Sequence, residues 1–126
     1  MSKFHAVVWI DHSRAEVLQF DPDEVEAKQV RAHHHATRQH HSAVRDEHEF
    51  HAAVADALAG VTEVLITGPG TAPVDFESYC RKHRPAVLKQ LAGVQKVDHP
   101  TPAQLVALAR EFFLRHDRMQ GVPTPT

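Results

Sequence analysis

The pattern of hydrophobic and polar positions places short apolar runs among longer helical repeats. Val64-Leu65-Ile66 is an unbroken apolar run with β-branched members, which is typical of a strand buried on both faces of a sheet. Gly68-Pro69-Gly70 follows directly and predicts a sharp turn. Helical patterns lie on both sides, at 46–59 and at 73–83. Helix, buried strand, turn and helix in this order predict the centre of an α/β domain.

Three further strands are predicted before this centre, at 5–11, 15–20 and 25–32. The first is dense in strand-forming residues, and the second alternates well enough to pair antiparallel with it. The third alternates strictly, which predicts a sheet-edge strand with one buried and one exposed face. A last strand is predicted at 94–98. A last helix is predicted from Thr101, whose Thr-Pro-Ala-Gln start is a strong N-terminal signal.

The two earlier helices also carry signals at their ends and along their faces. Asp46 with Glu49 is a capping-box pattern, and it places the start of the first helix near Ser42 or Asp46. The spacing predicts that the buried stripe of this helix contains Phe50, Ala53, Val54, Ala57 and Leu58. In the second helix, which Pro85 interrupts, the spacing predicts that Phe76, Tyr79 and Cys80 point inward.

The order β-β-β-α-β-α-β-α predicts a ribonuclease H-like α/β fold. Three antiparallel strands followed by two right-handed crossovers give a mixed five-stranded sheet of order 3-2-1-4-5, with helices on both faces. We expect one domain over 1–118 and a flexible tail over 119–126, which is rich in Pro and Thr. A hydrophobic residue content of 42% is enough for a core of this kind.

The composition restricts the classes of partner. A net charge of −2 gives no overall field that favours nucleic acid or a membrane, but 12 histidines would make the charge strongly positive near pH 6. Cys80 is the single cysteine, so an intramolecular disulfide is excluded, and a reducing compartment fits. No signal-peptide pattern and no apolar run of membrane-spanning length occurs. We therefore expect a cytoplasmic protein that is not bound to a membrane.

The segment between the third strand and the first helix is the most unusual part of the sequence. It has no apolar period, so we expect a loop, and it contains five histidines: His33, His34, His35, His40 and His41. Neutral imidazoles suit zinc, nickel or copper, although five loop histidines do not specify a closed site. Arg31, Arg38 and Arg45 favour contact with RNA instead, because guanidinium groups pair with phosphate. A solvated loop without a specific ligand is the third interpretation.

Other candidate residues have simple structural interpretations. Asp11 follows the first strand and is the one acid placed for metal-dependent phosphodiester hydrolysis, but a turn role is favoured. The 68–70 turn precedes a helix and could hold an anion, yet it lacks the Lys-Ser/Thr of a phosphate loop, so a plain turn is favoured. His48 and His51 lie one helical turn apart and could share a ligand face. Trp9, Tyr79 and Cys80 are predicted to be core residues.

Several of these segments together resemble one protein family. Strand three, the polar loop, Ser42-Ala43-Val44-Arg45, a helix, Val64 to Gly70 and then Asp75-Phe76 resemble the middle domain of the eukaryotic and archaeal class I release factors and Pelota. The resemblance is strongest to small bacterial single-domain relatives labelled translational machinery proteins. It covers about residues 4–117, and its motifs are moderately specific.

In release factors the loop before the first long helix carries Gly-Gly-Gln followed by Ser-Ala, and it promotes peptidyl-tRNA hydrolysis on the ribosome. In this chain Ser42-Ala43 is present, but Gln39-His40-His41 precedes it, and Gly-Gly-Gln occurs nowhere. Release activity is therefore not implied. We also expect the flanking codon-recognition and partner-binding domains of release factors to be absent from 126 residues.

Three functional hypotheses remain. The first is a non-catalytic translation-related protein that contacts the ribosome or structured RNA through the loop 33–45, with site residues Arg31, Arg38, Gln39, His40, His41, Ser42 and Arg45. The second is a metal-binding protein that holds zinc with the five loop histidines. Apart from this zinc, no cofactor is expected. The third is a ribonuclease H-like nuclease, which is the least favoured. A homodimer through the predicted edge strand 25–32 would be compatible with any of them.

Overall fold

The computed structural model describes residues 4–32 and 42–120. These residues form five strands and four helices. In chain order they are β1 (His5–Ile10), β2 (Arg14–Phe20), β3 (Val25–Arg31), α1 (Ser42–Ala57), β4 (Glu63–Gly68), α2 (Ala72–His83), α3 (Pro85–Leu88), β5 (Leu91–Lys96) and α4 (Pro102–Gln120). No helix among them is both long enough and apolar enough to cross a membrane.

The five strands form one mixed sheet of order β3-β2-β1-β4-β5. β2 is antiparallel to both β1 and β3, whereas β4 runs parallel to both β1 and β5. This order and these directions confirm the predicted ribonuclease H-like α/β arrangement, with the Val64-Leu65-Ile66 run in the interior of the sheet. Val64, Leu65 and Ile66 are fully buried because layers of side chains cover both sides.

Two hydrophobic clusters lie on opposite faces of the sheet. On one face α1 and α2 pack Phe50, Val54 and Phe76 against strand residues such as Val8 and Ile66. On the other face α4 packs residues that include Leu105, Ala109 and Phe113 against Val7, Leu18, Phe20 and Leu65. Helices therefore cover both faces, as predicted. Cys80 lies in the first cluster, and burial raises the pKa of its thiol to about 11, which fits an unreactive core residue.

The prediction for the third strand was right in position and wrong in burial. β3 lies at the edge of the sheet, but only Val30 is buried, and Val25 is 48% exposed. The physical reason is coverage: Val30 joins the core near Phe50 of α1, while the first half of the strand extends beyond the helices. The alternation of hydrophobic and polar residues therefore predicted a buried face that the packing largely leaves exposed.

Some predicted boundaries and orientations also change. α1 begins at Ser42, which is one of the two predicted starts, so Asp46 is a buried residue inside the helix, and the Asp46–Glu49 capping box is wrong. Ala53 is exposed, and Tyr79 is only partly buried, because each lies at the margin of its helix's buried stripe. β5 begins at Leu91, three residues before the predicted strand. α4 ends at Gln120, so 119 and 120 are helical, and the rest of the predicted tail lies outside the described residues.

Candidate functional site

One edge of the sheet collects the loops that follow β1, β3 and β4. β1 and β4 are parallel, so their carboxyl ends, at Ile10 and Gly68, reach the same edge. β3 ends there too, because Arg31 pairs with Arg14 at the start of β2. Ligands of open α/β sheets bind outside the carboxyl ends of parallel strands. This edge, which we call the carboxyl edge, is therefore the candidate site.

The turn after β4 is built by close backbone contact. Gly68 has φ +152°, and a Cβ at this position would lie 2.0 Å from the carbonyl oxygen of Ile10. The preceding Thr67 is buried, and its hydroxyl donates to the carbonyl of Val8 at 2.7 Å. Asp75 already places a carboxylate in the first turn of α2, where an anion would have to bind. The geometry therefore favours the structural interpretation of this turn.

Asp11 holds the turn between β1 and β2. Its Oδ1 accepts hydrogen bonds from the backbone N–H groups of Ser13 and Arg14, both at 2.8 Å. Burial raises the pKa of the carboxyl, but these donors outweigh burial and keep the pKa below its usual value. Arg14 in turn lies over the Trp9 ring, 5.0 Å from its centroid. The side chain of Asp11 therefore performs the predicted turn role through its Oδ1.

Two carboxylates and an imidazole meet beside this turn, a grouping that was not predicted from the sequence. Donor atoms of His12, Glu47 and Asp75 all lie within 4.8 Å of one another, although the three residues come from a turn and two different helices. Such a set could hold a divalent cation, but exposed carboxylates are common without one. No sequence spacing signals this group, because only the packing of α1 and α2 against the sheet brings it together.

An open cleft of about 280 Å³ separates α1 from α2 next to this group. Its walls are polar and rich in histidine: Glu47, His48, His51, Asp75, Ser78, Tyr79, Lys82 and His83. The Tyr79 ring lies between imidazoles, with centroid distances of 5.5 Å to His48 and 4.9 Å to His83. His48 and His51 therefore line one cleft, to which α2 adds His83, and a shared ligand face stays a prediction.

His51 differs from the other cleft histidines because it is buried. Its exposed fraction is 5%, and its Nδ1 has no hydrogen-bond partner. Burial lowers the pKa of His51, which the charges of Glu47 and Asp75 only partly oppose. The ring is therefore neutral at neutral pH and contributes an aromatic wall rather than a charge.

The predicted binding residues fall into two groups. Arg31 at the end of β3 and Arg45 in the first turn of α1 are both exposed, and Ser42 begins α1. The remaining predicted residues lie outside the described residues: His33, His34, His35, Arg38, Gln39, His40 and His41. The segment that carries them leaves β3 after Ala32 and enters α1 at Ser42. Both of its attachment points are therefore described.

Comparison with solved structures finds this fold in translation factors. Pelota of Archaeoglobus fulgidus has a TM-score of 0.67 at 18% identity, and the archaeal translation termination factor aRF1 has a TM-score of 0.59 at 17% identity. Dom34 of S. cerevisiae, a translation termination-like factor, has a TM-score of 0.60 at 9% identity. Each comparison covers 93% of this chain. The chain therefore resembles the middle domain of release-factor-like proteins, as its sequence motifs predicted.

The similarity extends over only part of those proteins. The chain spans 33% of the Archaeoglobus Pelota, 42% of aRF1 and 36% of Dom34. At identities of this size the comparisons establish the fold. No protein-family model and no curated protein sequence matches the chain.

Proposed function

We propose that the chain is a non-catalytic translation-related protein that contacts the ribosome or structured RNA through the loop 33–45. The observation that carries this proposal is a combination of fold and position. The fold is that of Pelota and aRF1, and one of the solved structures that this chain matches is an archaeal Pelota bound to the ribosome. In this chain the His/Arg-rich segment joins β3 to α1, where the release-factor relatives carry their active loop.

The chemistry of the segment supports contact with phosphate and bases. Arg31 and Arg45 are exposed at its two ends, and Arg38 lies between them. Guanidinium groups bind phosphate in a forked geometry, and imidazole rings stack on bases. In a sequence of net charge −2, three arginines and five histidines thus fall within residues 31–45. A role in translation implies a cytoplasmic location.

The proposed role is not hydrolytic. The loop lacks the Gly-Gly-Gln of release factors, so we expect no peptidyl-tRNA hydrolysis. Asp11 is held by backbone donors, and we expect no nuclease activity from it. Purified protein should leave peptidyl-tRNA and structured RNA intact with Mg²⁺ present. Turnover that Asp11→Asn abolishes would contradict this expectation.

Co-sedimentation with ribosomes tests the contact. The triple variant Arg38→Ala/His40→Ala/His41→Ala should bind at least about 10-fold more weakly than the wild type, because it removes charge and stacking from the loop. Wild-type binding should weaken as salt rises. Binding should strengthen as pH falls from about 7.5 to about 6, because contact with phosphate favours protonated imidazole.

A matched control removes cations from the other end of the molecule. Arg115→Ala/Arg118→Ala deletes two permanent positive charges from exposed positions near the end of α4. It lowers the net charge more than the loop variant does at neutral pH, yet it should bind ribosomes like the wild type. Equal binding by the loop variant and the wild type would refute the proposal, as would binding that is independent of salt and pH.

A second candidate function is metal binding at the same edge. The grouping of His12, Glu47 and Asp75 favours it, since carboxylates near the loop could complete a site with loop histidines. The candidate ion is zinc. If it is bound, the variant Glu47→Gln/Asp75→Asn should retain less zinc after dialysis than the wild type. If the variant retains as much zinc as the wild type, Glu47 and Asp75 do not contribute to zinc binding.

A further inference from the structure

The edge of the sheet opposite the carboxyl edge contains a buried cluster of ionisable side chains. His5 begins β1 and Glu63 begins β4, and the parallel register pairs these two residues. Asp117, near the end of α4, reaches the same point. His5 and Asp117 are fully buried, and only 16% of the Glu63 side chain is exposed. One imidazole and two carboxylates are thus enclosed together.

The distances within this cluster match those between ligands of one metal ion. His5 Nε2 lies 3.0 Å from Glu63 Oε1 and 3.3 Å from Asp117 Oδ2. Two ligand atoms at zinc–ligand distances of about 2.0–2.1 Å in a tetrahedral arrangement lie about 3.3 Å apart. The His5 ring is also held in place, since it stacks on Phe113 at 4.2 Å and on Phe20 at 5.7 Å between centroids. The donor atoms are therefore preorganised.

The charges of the cluster are not balanced by basic side chains. Among the described residues, no Lys or Arg side chain forms an ion pair with Glu63 or Asp117. Two carboxylates enclosed with one imidazole are a costly arrangement unless a cation neutralises them.

An unused acceptor atom in the cluster supports the same conclusion. Asp117 Oδ1 is buried without a hydrogen-bond partner. Such atoms are rare in folded proteins and call for an explanation, of which an ion is one. A carboxylate that binds a metal can use its second oxygen as a further ligand atom. The cluster therefore has more donor capacity than its hydrogen bonds use.

A second imidazole lies beside the cluster, outside the set of three residues whose donor atoms all lie within 4.8 Å of one another. His116 precedes Asp117 in α4, and its Nε2 lies 3.7 Å from Glu63 Oε2. Its ring stacks on Phe112 with an interplanar angle of 12°, which fixes its direction. The side chain is 25% exposed, so an ion can enter from this side. One imidazole and two carboxylates are ligand types that zinc accepts, and His116 lies next to them.

We propose that His5, Glu63 and Asp117 bind a divalent metal ion of the zinc type, with His116 beside them. The ion joins α4 to the first residues of β1 and β4, which are distant in sequence, and its role is structural. This site is independent of the loop 33–45 and lies at the other end of the strands. It also differs from the group of His12, Glu47 and Asp75, which is largely exposed.

The test uses the full chain with the five loop histidines replaced by alanine, so that the loop cannot bind metal. The protein is treated with chelator, loaded with zinc chloride and dialysed. Zinc content is measured by atomic absorption, and Tm by circular dichroism. The background protein should retain one ion that Asp117→Asn does not, and its Tm should rise on zinc addition. Asp117→Asn should bind zinc at least about 100-fold more weakly, because loss of a ligand exceeds the effect of losing an outer-shell partner.

The metal-free state separates this proposal from a simple loss of folding. Without metal, Asp117→Asn should melt no lower than the background, since it removes a buried charge. Glu63→Gln is a second variant, which replaces the carboxylate by a neutral amide of nearly the same shape, and it should also lose zinc binding. The control Glu111→Gln changes an exposed carboxylate of the same helix and should keep full binding. Equal zinc binding by the background and Asp117→Asn, or a Tm that zinc leaves unchanged, would overturn the proposal.

Discussion

At the residue scale, Gly68 occupies a position where no side chain fits. The carbonyl of Ile10 stands 2.0 Å from the place of its Cβ, and the backbone has φ +152°. Gly70 also has a positive φ of +58°, but open space surrounds the place of its Cβ. The two glycines of one turn are therefore needed for different reasons, one for close contact and one for backbone conformation.

This difference predicts unequal effects of alanine. Gly68→Ala should lower the free energy of unfolding by about 3 kcal/mol, because the Ile10 backbone must move. Gly70→Ala should cost only about 1 kcal/mol, which is the cost of a left-handed alanine. Urea denaturation of both variants measures the two values. Similar losses of unfolding free energy in the two variants would show that β1 and β4 can move apart at Gly68 at little cost.

His51 predicts a pH dependence. Burial holds the pKa of His51 below its ordinary 6.5, so the unfolded chain takes up a proton first as pH falls. Stability therefore decreases as pH falls through about 6.5, and His51→Phe should remove this part of the decrease. Phenylalanine suits the site because the ring already contacts Phe76 and Tyr79. The groups that face His51 are Glu47 and His48 on α1, Asp75 and Tyr79 on α2, and His12.

Denaturation at several pH values measures this effect. Above about pH 7.5 the imidazole is neutral in both states, so the difference between wild type and variant there reports packing alone. As the pH is lowered to about 5.5, the free energy of unfolding of the variant should rise relative to that of the wild type. A difference that is constant over this range would contradict the assignment of a depressed pKa to His51.

At the element scale, α4 begins with a reciprocal capping box. The backbone N–H of Thr101 donates to Gln104 Oε1 at 2.9 Å, and the N–H of Gln104 donates to Thr101 Oγ1 at 3.1 Å. The sequence predicted this start because both bonds are local and need only the correct spacing. By contrast, Thr71 at the start of α2 makes no such cap, and its hydroxyl donates to Asp75 at 3.1 Å.

The two threonines are a matched pair for mutation. Thr101→Ala should lower the free energy of unfolding by about 1 kcal/mol, because it leaves a helix N–H group without its partner. Thr71→Ala should cost about 0.3 kcal/mol, since only an exposed side-chain bond is lost. Thermal unfolding of both variants provides the comparison. A larger loss for Thr71→Ala would mean that the cap of α4 does not act as the geometry indicates.

At the scale of the whole molecule, the sheet leaves β3 as an edge strand with little cover. Its side chains are exposed except for Val30, and they include both charge signs, as Glu26 and Lys28 show. Charges on an edge strand oppose pairing with a second chain, while free edge groups favour it. The predicted homodimer through 25–32 thus remains a prediction.

Sedimentation velocity measures this directly. If β3 pairs with a second copy, the mass should double with rising concentration, and Ala27→Pro should prevent the increase because proline removes an edge donor and strains the strand. The control Ala103→Pro places proline in the first turn of α4, where it is tolerated. A single mass of one chain at all concentrations would exclude the dimer.

The sequence alone determined the features that depend on local chemistry. Neighbouring residues along the chain determine three of these features: the Val64-Leu65-Ile66 run, the glycine turn and the cap at Thr101. The order of elements then limits the sheet to few topologies, because crossover connections are right-handed. The predicted strand order and the family resemblance follow from such signals, and both are confirmed.

Only the tertiary structure decided which distant residues share a site. Glu63 lies 58 residues after His5 along the chain, and Asp117 lies 112 residues after it. None of the three belongs to a recognisable motif. The exposure of β3 and the meeting of His12 with Glu47 and Asp75 likewise depend on how far each helix covers the sheet. A local pattern of hydrophobic and polar residues predicts which face of a helix or strand is apolar. Whether that face is buried depends on what packs against it.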